Sequence, residues 1–197
     1  MEELSPEAMQ IKDVCAHFGS AAYAASCLET GLAIALMQCD LLKSLKEKYD
    51  LDKKPLIREE FNAQFDAYMA NQHRQVLGTL IKRFGVAFPS SINIQSLLFK
   101  ANARRNSLMH DFWRDHAVTF NVAAGREKMI AELMEAETLF FEADSAVQSA
   151  IHPVFDTLGV DREKMEAQME AIKQAALADK SNDPKSPPIA QGIDFKS

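Results

Sequence analysis

Glycine and proline are scarce, seven of each in 197 residues, and most of the prolines fall in loops or near the end. That scarcity suits long helices and argues against a many-stranded sandwich or barrel. Familiar catalytic signatures are missing as well. There is no P-loop, no GxGxxG and no HExxH. No Glu-x-x-His pair occurs, which sets aside a ferritin-like di-iron site. Cysteine is limited to Cys15, Cys27 and Cys39, with no CxxC and no Cys/His cluster. Twelve helical residues turn about 120° beyond whole turns, so the three thiols point in different directions. They read as free, mostly core thiols of a reducing compartment, not as a disulfide or a zinc site.

The first residues, Met1 to Pro6, are acidic, with no basic stretch and no apolar run of the kind a signal peptide carries. The most apolar run, Leu32 to Met37, is far too short to span a bilayer. A cytoplasmic protein with no membrane partner is therefore expected. Hydrophobic residues make up 47% of the chain, enough for a real core.

Acid is absent from one long window. Between Ala67 and His110 there is no Asp or Glu, while six cations occur there: Arg74, Lys82, Arg83, Lys100, Arg104 and Arg105. The whole chain carries −6, so the remainder carries −12. A net-acidic protein is a poor nonspecific nucleic-acid binder. A local basic zone can still hold a phosphate, or can be a solvated surface.

Apolar spacing predicts an all-α chain with long N-terminal and C-terminal helices. Ser5 and Pro6 start the first, and an apolar stripe from Ile11 through Val14, Phe18, Ala25, Leu28, Leu32 and Leu36 carries it to about Lys48. Gly19 and Gly31 read as tolerated small residues or close-packing sites. A second helix is expected from Glu59 to Phe84, stopped by Gly85, and a third from about Ile94 to His116. A fourth begins near Gly125 and ends at Gly159, with Pro153 marking a kink or break. Asp161 caps a last charged helix to about Ala178. The domain reading is one all-α domain over residues 1–179 and a disordered tail over 180–197, where the composition is proline-rich and polar.

The sharpest chemistry lies in the third helical stretch, at Arg105, Asn106 and His110. Arginine offers a permanently charged planar fork for phosphate oxygens. Histidine gives and takes protons near neutral pH. The two are sufficient for metal-independent phosphodiester cleavage: His110 deprotonates a ribose 2′-hydroxyl or protonates the leaving oxygen, and Arg105 holds the charge that builds on phosphate. Asn106 can orient the phosphate or the histidine. Five helical residues turn about 140° beyond one turn, so Arg105 and His110 do not share a face. They can meet only near a helix end, at a bend, or across a two-fold axis.

The run from Ala103 to Trp113 resembles the signature of the HEPN superfamily, in which an arginine, often followed by a polar residue, precedes a histidine by four to six residues. Arg105, Asn106 and His110 match that pattern; Arg104 also fits the spacing but lacks the polar follower. The resemblance implies a helical bundle that dimerises with its motifs facing each other. Many such proteins are metal-independent ribonucleases of toxin–antitoxin or antiviral systems, and others are inactive binding modules. It implies a homodimer, RNA as substrate, and a cognate antitoxin or regulatory protein as partner, with no cofactor and no metal.

Glu29 lies on or beside the buried stripe of the first helix and is the only acid between Asp13 and Asp40. By the same resemblance it orients Arg105 or His110; otherwise it is a half-exposed or dimer-facing glutamate. His17, His73, His116 and His152 lack ligand-like spacing and read as surface or boundary residues. The dipeptide His110-Asp111, with His73 and Asp144 or Asp156, mimics an HD-type metal phosphohydrolase. Phe112, Trp113 and Phe120 read as core or dimer contacts and not as a base-stacking platform. Two functions follow: a HEPN-like endoribonuclease acting as a homodimer, or a non-catalytic helical interaction or nucleotide-binding module.

Overall fold

A computed structural model describes residues 4–52 and 76–158, with isolated helical residues at 63, 67, 68, 163, 167, 170, 171 and 174. Among the described residues there are five α-helices and no strand. They are α1 (Pro6–Asp52), α2 (Leu77–Ala87), α3 (Ile92–His110), α4 (Phe112–Asp115) and α5 (Ala123–Leu158). A 3-10 turn, Thr119–Asn121, precedes α5.

The chain forms two compact units. One comprises Met1–Leu36 and Gln72–Ala150, the other Met37–Asn71 and Ile151–Ser197. Every residue of the Arg105/His110 motif, and Glu29, falls in the first.

In that first unit the core comes from one stripe of each helix. Val14, Ala21, Leu28 and Leu32 of α1 are fully buried, as are Leu98 and Ala101 of α3 and Met129, Leu133 and Phe140 of α5. Alanines at 21, 24 and 25 are buried too, and small side chains let neighbouring backbones approach. The long N-terminal helix packs on the long C-terminal one, and the two run parallel. Arg126 Nε donates to Gln10 Oε1 at 3.0 Å, Ser20 Oγ donates to Glu137 Oε1 at 2.7 Å, and Gly31 lies against Asp144. Contacts from α1 to the α3–α4 segment run the other way, Glu29 to Arg105 of α3 and Phe18 to Phe112 of α4, so α1 is antiparallel to that segment. Helices α2 and α3 form a hairpin in which Gly78 lies beside Asn102 and Gly85 beside Gln95.

Several boundaries differ from the sequence reading. Gly85 does not stop its helix. The chain stays helical to Ala87, and Phe88 N–H caps Phe84 O at 2.8 Å while the two rings stack at 4.7 Å. The third helix does not reach His116. It ends at His110, where Asp111 opens to φ −116°, and α4 resumes one residue later with Phe112 buried against Phe18. Helix α5 starts at Ala123 and passes through Pro153 without a break. The thiols are not mostly core: Cys15 is exposed, Cys27 half-buried and Cys39 buried, as three 120° steps around one helix dictate. Helix α2 begins at Leu77 after an extended Val76 (φ −74°, ψ 149°), so the helix expected from Glu59 to Phe84 is interrupted there. Of its earlier part only residues 63, 67 and 68 are described, and most of the helix after Asp161 and the tail after Lys180 lie outside the described residues.

Candidate functional site

Helix α3 places the motif by simple rotation. Its buried residues Leu98, Ala101 and Leu108 define the inner side. Directly opposite, at three- and four-residue steps, Ile92, Ser96, Phe99, Ala103, Asn106 and His110 are all exposed. His110 is the last residue of α3 and makes no hydrogen bond or ion pair with a described residue. Arg104 and Arg105, offset by about 100°, leave the helix on opposite flanks of the buried stripe.

Arg105 reaches toward α1. Its Nη2 lies 3.5 Å from Glu29 Oε2, and its Nη1 lies 3.4 Å from Asn106 Oδ1. Both separations exceed the usual range for a strong N–H···O bond. The side chains of Arg105 and Glu29 remain 32% and 29% exposed, so the guanidinium is loosely held and open to an incoming anion. Of the four residues singled out from sequence, Glu29, Arg105 and Asn106 are thus brought together. His110 is not: it points along the outer stripe, on the other side of Asn106.

Arg104 reaches the other way, to α5. Nη1 donates to Glu132 Oε1 at 2.7 Å, and Nη2 donates to the Glu132 carbonyl at 3.0 Å. The second oxygen of the same carboxylate, Oε2, lies 2.9 Å from His116 Nε2. His116 Nδ1 is 3.3 Å from Thr119 Oγ1, and its ring rests on Phe112 with centroids 4.6 Å apart. Sequence reasoning missed Glu132 altogether and left His116 as a boundary residue. The one available signal was the double arginine, since a helix gripped on both flanks needs an acid on each.

The aromatic residues after the motif form one cluster. Phe18, Phe112, Trp113 and Phe120 stand 5.1–5.8 Å apart in tilted or edge-on pairs. Phe112 is buried and Phe120 half-buried, whereas Trp113 keeps 41% of its surface exposed. Arg126 is the one buried charged residue among those described. It bonds Gln10 Oε1 and the Phe120 carbonyl, each at 3.0 Å, with Glu7 at 3.6 Å. This ties the loop after α4 to the start of α1.

For the HD-type alternative, Asp111 Oδ1 accepts from Arg114 Nη2 at 2.8 Å. Among the described residues no three His, Cys, Asp or Glu side chains converge as a metal site; His73 lies outside them. Asp144 instead packs over Gly31 in the α1–α5 contact, with one carboxylate oxygen unpartnered. Burial raises its pKa, and a hydrogen bond from Gln148 partly offsets that.

The stretch Pro6–Asp40 of α1 is long and apolar enough to cross a membrane by length and composition, with half of its most apolar window buried inside the protein. The short run Leu32 to Met37 did not reveal this. Compared with known protein families, curated proteins and solved structures, the chain matches none.

Proposed function

We propose that this chain is a HEPN-like, metal-independent endoribonuclease of the toxin or defence type that works as a homodimer. The observation that carries the reading is the split of the motif around α3: a loosely held Arg105 beside Glu29 and Asn106, and an unpartnered His110 on the exposed stripe. Neither half suffices alone. Proton transfer needs the imidazole, and charge developing on phosphate needs the guanidinium. The stripe running from Ile92 to His110 carries no Asp, Glu, Lys or Arg. A second copy covering its His110 end brings the partner's imidazole to the flank where Arg105 sits.

In this reading His110 takes the 2′-hydroxyl proton or supplies one to the 5′-leaving oxygen. Arg105 exchanges its Glu29 contact for the phosphate. A half-exposed pair of this kind is worth about 1 kcal/mol or less, so the exchange is easy. Glu29 orients the guanidinium before that exchange, and Asn106 steers the phosphate. Helix α1 serves as a core helix, because Gln10, Ser20 and Glu29 give it polar ties to α5 and α3. That supports a cytoplasmic protein without a membrane partner, and an antitoxin or regulatory protein is the expected modulator.

The test is RNA cleavage by the purified chain. Activity should survive EDTA, spare DNA and leave a 2′,3′-cyclic phosphate. Arg105→Ala and His110→Ala should each abolish it, by about 10²–10⁴-fold for the general acid–base group. Mixing the two dead variants should restore part of the activity, because a mixed dimer holds one intact composite site. A monomer in light scattering at micromolar concentration, or a stable and active His110→Ala protein, refutes the mechanism. One observation favours the non-catalytic interaction or nucleotide-binding module: Arg105 already has a carboxylate beside it. Intact dimers without nuclease activity, losing partner binding on mutation of the motif, would establish that module instead.

A further inference from the structure

We infer that Glu132 is the positioning residue of the motif, holding the α3–α4 bend that sets where His110 stands. One carboxylate grips two side chains on either side of His110 in sequence. Oε1 takes Arg104, six residues before it, at 2.7 Å, and Oε2 takes His116, six residues after it, at 2.9 Å. The Glu132 carbonyl adds a third bond to Arg104 at 3.0 Å. Between these two tethers the chain leaves α3 at His110, bends at Asp111 and re-enters a helix at Phe112. His110 itself touches none of the three residues.

The bend has few other restraints of comparable strength. Arg114, on α4, pairs with Asp111 and Asp115, both within the same segment, so it stiffens the segment without anchoring it. Among the described residues, anchoring comes from the Phe112 and Trp113 rings, both packed on Phe18, and, on the α5 side, from Glu132. Arg104 is 21%, His116 22% and Glu132 34% exposed, so the two contacts are partly shielded from water, and their 2.7 and 2.9 Å separations are those of well-formed charge-assisted bonds. An ångström-scale misplacement of a catalytic group costs on the order of 10²-fold in rate.

The catalytic part of this inference rests on the ribonuclease reading; the positional part does not. The experiment is Glu132→Gln, whose amide keeps one acceptor oxygen and loses the negative charge that both contacts share. Glu137→Gln serves as the control, since Glu137 stands on the same helix but accepts from Ser20 of α1 and has no hydrogen bond to the motif. Two quantities are read. The first is the imidazole carbon–proton NMR resonances of His110, assigned through His110→Ala. The second is kcat and KM on RNA, scaled to folded protein. Glu132→Gln should shift the His110 resonances and lower kcat by roughly 10–100-fold with KM nearly unchanged, and Glu137→Gln should do neither. If the wild type cuts no RNA, the ribonuclease reading fails and the His110 resonances alone decide the positioning role. Unmoved His110 resonances in folded Glu132→Gln overturn the inference whatever the activity. Should that variant not fold, Arg104→Ala and His116→Ala each release one tether. A His110 shift in either upholds the inference, and no shift in both overturns it.

Discussion

Arg126 offers a direct test of how the region after the motif is held. It sits in the first turns of α5, where the helix dipole disfavours a cation, and it is 4% exposed. Both costs are met by its acceptors: Gln10 Oε1 and the Phe120 carbonyl, each at 3.0 Å, and the more distant Glu7. Next to it, Gly125 has no room for a side chain, because a Cβ there would strike the Thr119 carbonyl. Arg126→Ala removes the cation and strands two acceptors. At about 1–3 kcal/mol for each acceptor left unmet when fully buried, discounted because both of these bonds are only part-buried, and with the Glu7 pair worth little at the surface, the loss should be about 2–4 kcal/mol. For a chain of this length each kcal/mol moves Tm by about 2–4 °C, so melting should fall by roughly 5–15 °C. Circular dichroism at 222 nm reads this. Arg126→Lys should recover part of the loss, since an ammonium keeps the charge but not the fork that reaches two acceptors. A drop within about 1 °C for Arg126→Ala would refute the argument, and would mean that the bonds to Gln10 and Phe120 merely replace bonds to water.

Other perturbations separate the remaining claims. Glu29→Gln should leave the unfolding free energy within about 1 kcal/mol of wild type yet weaken RNA cleavage; indifference in both reduces Glu29 to a bystander. Arg105→Lys should retain only part of the activity that Arg105→Ala loses, because the charge survives without the bidentate fork. Asp144 has a raised pKa in the folded chain, so its contribution to stability is present below the ordinary value of 3.8 and is lost as pH rises through the folded value. Asp144→Asn should therefore stabilise the protein at pH 7, by about 1 kcal/mol at most for a half-exposed group, and the gain should vanish below pH 3.8; urea melts at the two pH values decide it. Burial pushes the Cys39 thiol up to about 11, so a disulfide reagent at pH 8 should label exposed Cys15 promptly and reach Cys39 only on unfolding.

What could be read from sequence was whatever a helix's period announces. Val14, Leu28, Leu32 and Leu36 of α1 were placed inward by spacing alone, and they are buried. The ends were harder. Gly85 looked like a stop, but Phe88 caps the Phe84 carbonyl and lets the helix continue. Nothing periodic marks Asp111 as the end of the motif helix, because the break there is one residue of widened φ and α4 then resumes the same sense. The site was legible only where one helix holds it. Arg105, Asn106 and His110 stand in a single run. Glu29 was reachable because it was the lone acid on an apolar stripe. Glu132 lies 27 residues beyond Arg105, in a helix rich in acids, where Glu127, Glu135, Glu137 and Glu142 look equally plausible. Only the packing of α3 against α5 picks one out. Gly31 illustrates the same limit: it read as either tolerated or close-packed, and the Asp144 carboxylate above it decides for the second, while Gly19 faces open space.

The double arginine shows how packing divides labour that sequence leaves undivided. Both Arg104 and Arg105 stand at an acceptable distance before His110. One residue along a helix is about 100° of rotation, and α3 has α1 on one flank and α5 on the other. Consecutive arginines on such a helix must part company. Arg104 finds a carboxylate oxygen at 2.7 Å and a carbonyl at 3.0 Å, and the acid it meets is also held by His116. Releasing it gives up charge-assisted bonds worth about 1.5–3 kcal/mol each. Arg105 finds a carboxylate at 3.5 Å and an amide oxygen at 3.4 Å, and releasing it gives up about 1 kcal/mol or less. A phosphate approaching this helix therefore meets one arginine committed to structure and one available for chemistry. The available one is followed by Asn106, which stands on the exposed stripe that ends on His110. An exchange of the two roles, with Arg104 binding substrate and Arg105 holding the fold, would require Glu132 to surrender its grip on the bend as well. On these distances, Arg104→Ala should cost more in stability than Arg105→Ala, and Arg105→Ala more in activity per folded molecule; the reverse order in a paired melt and cleavage assay would undo the assignment.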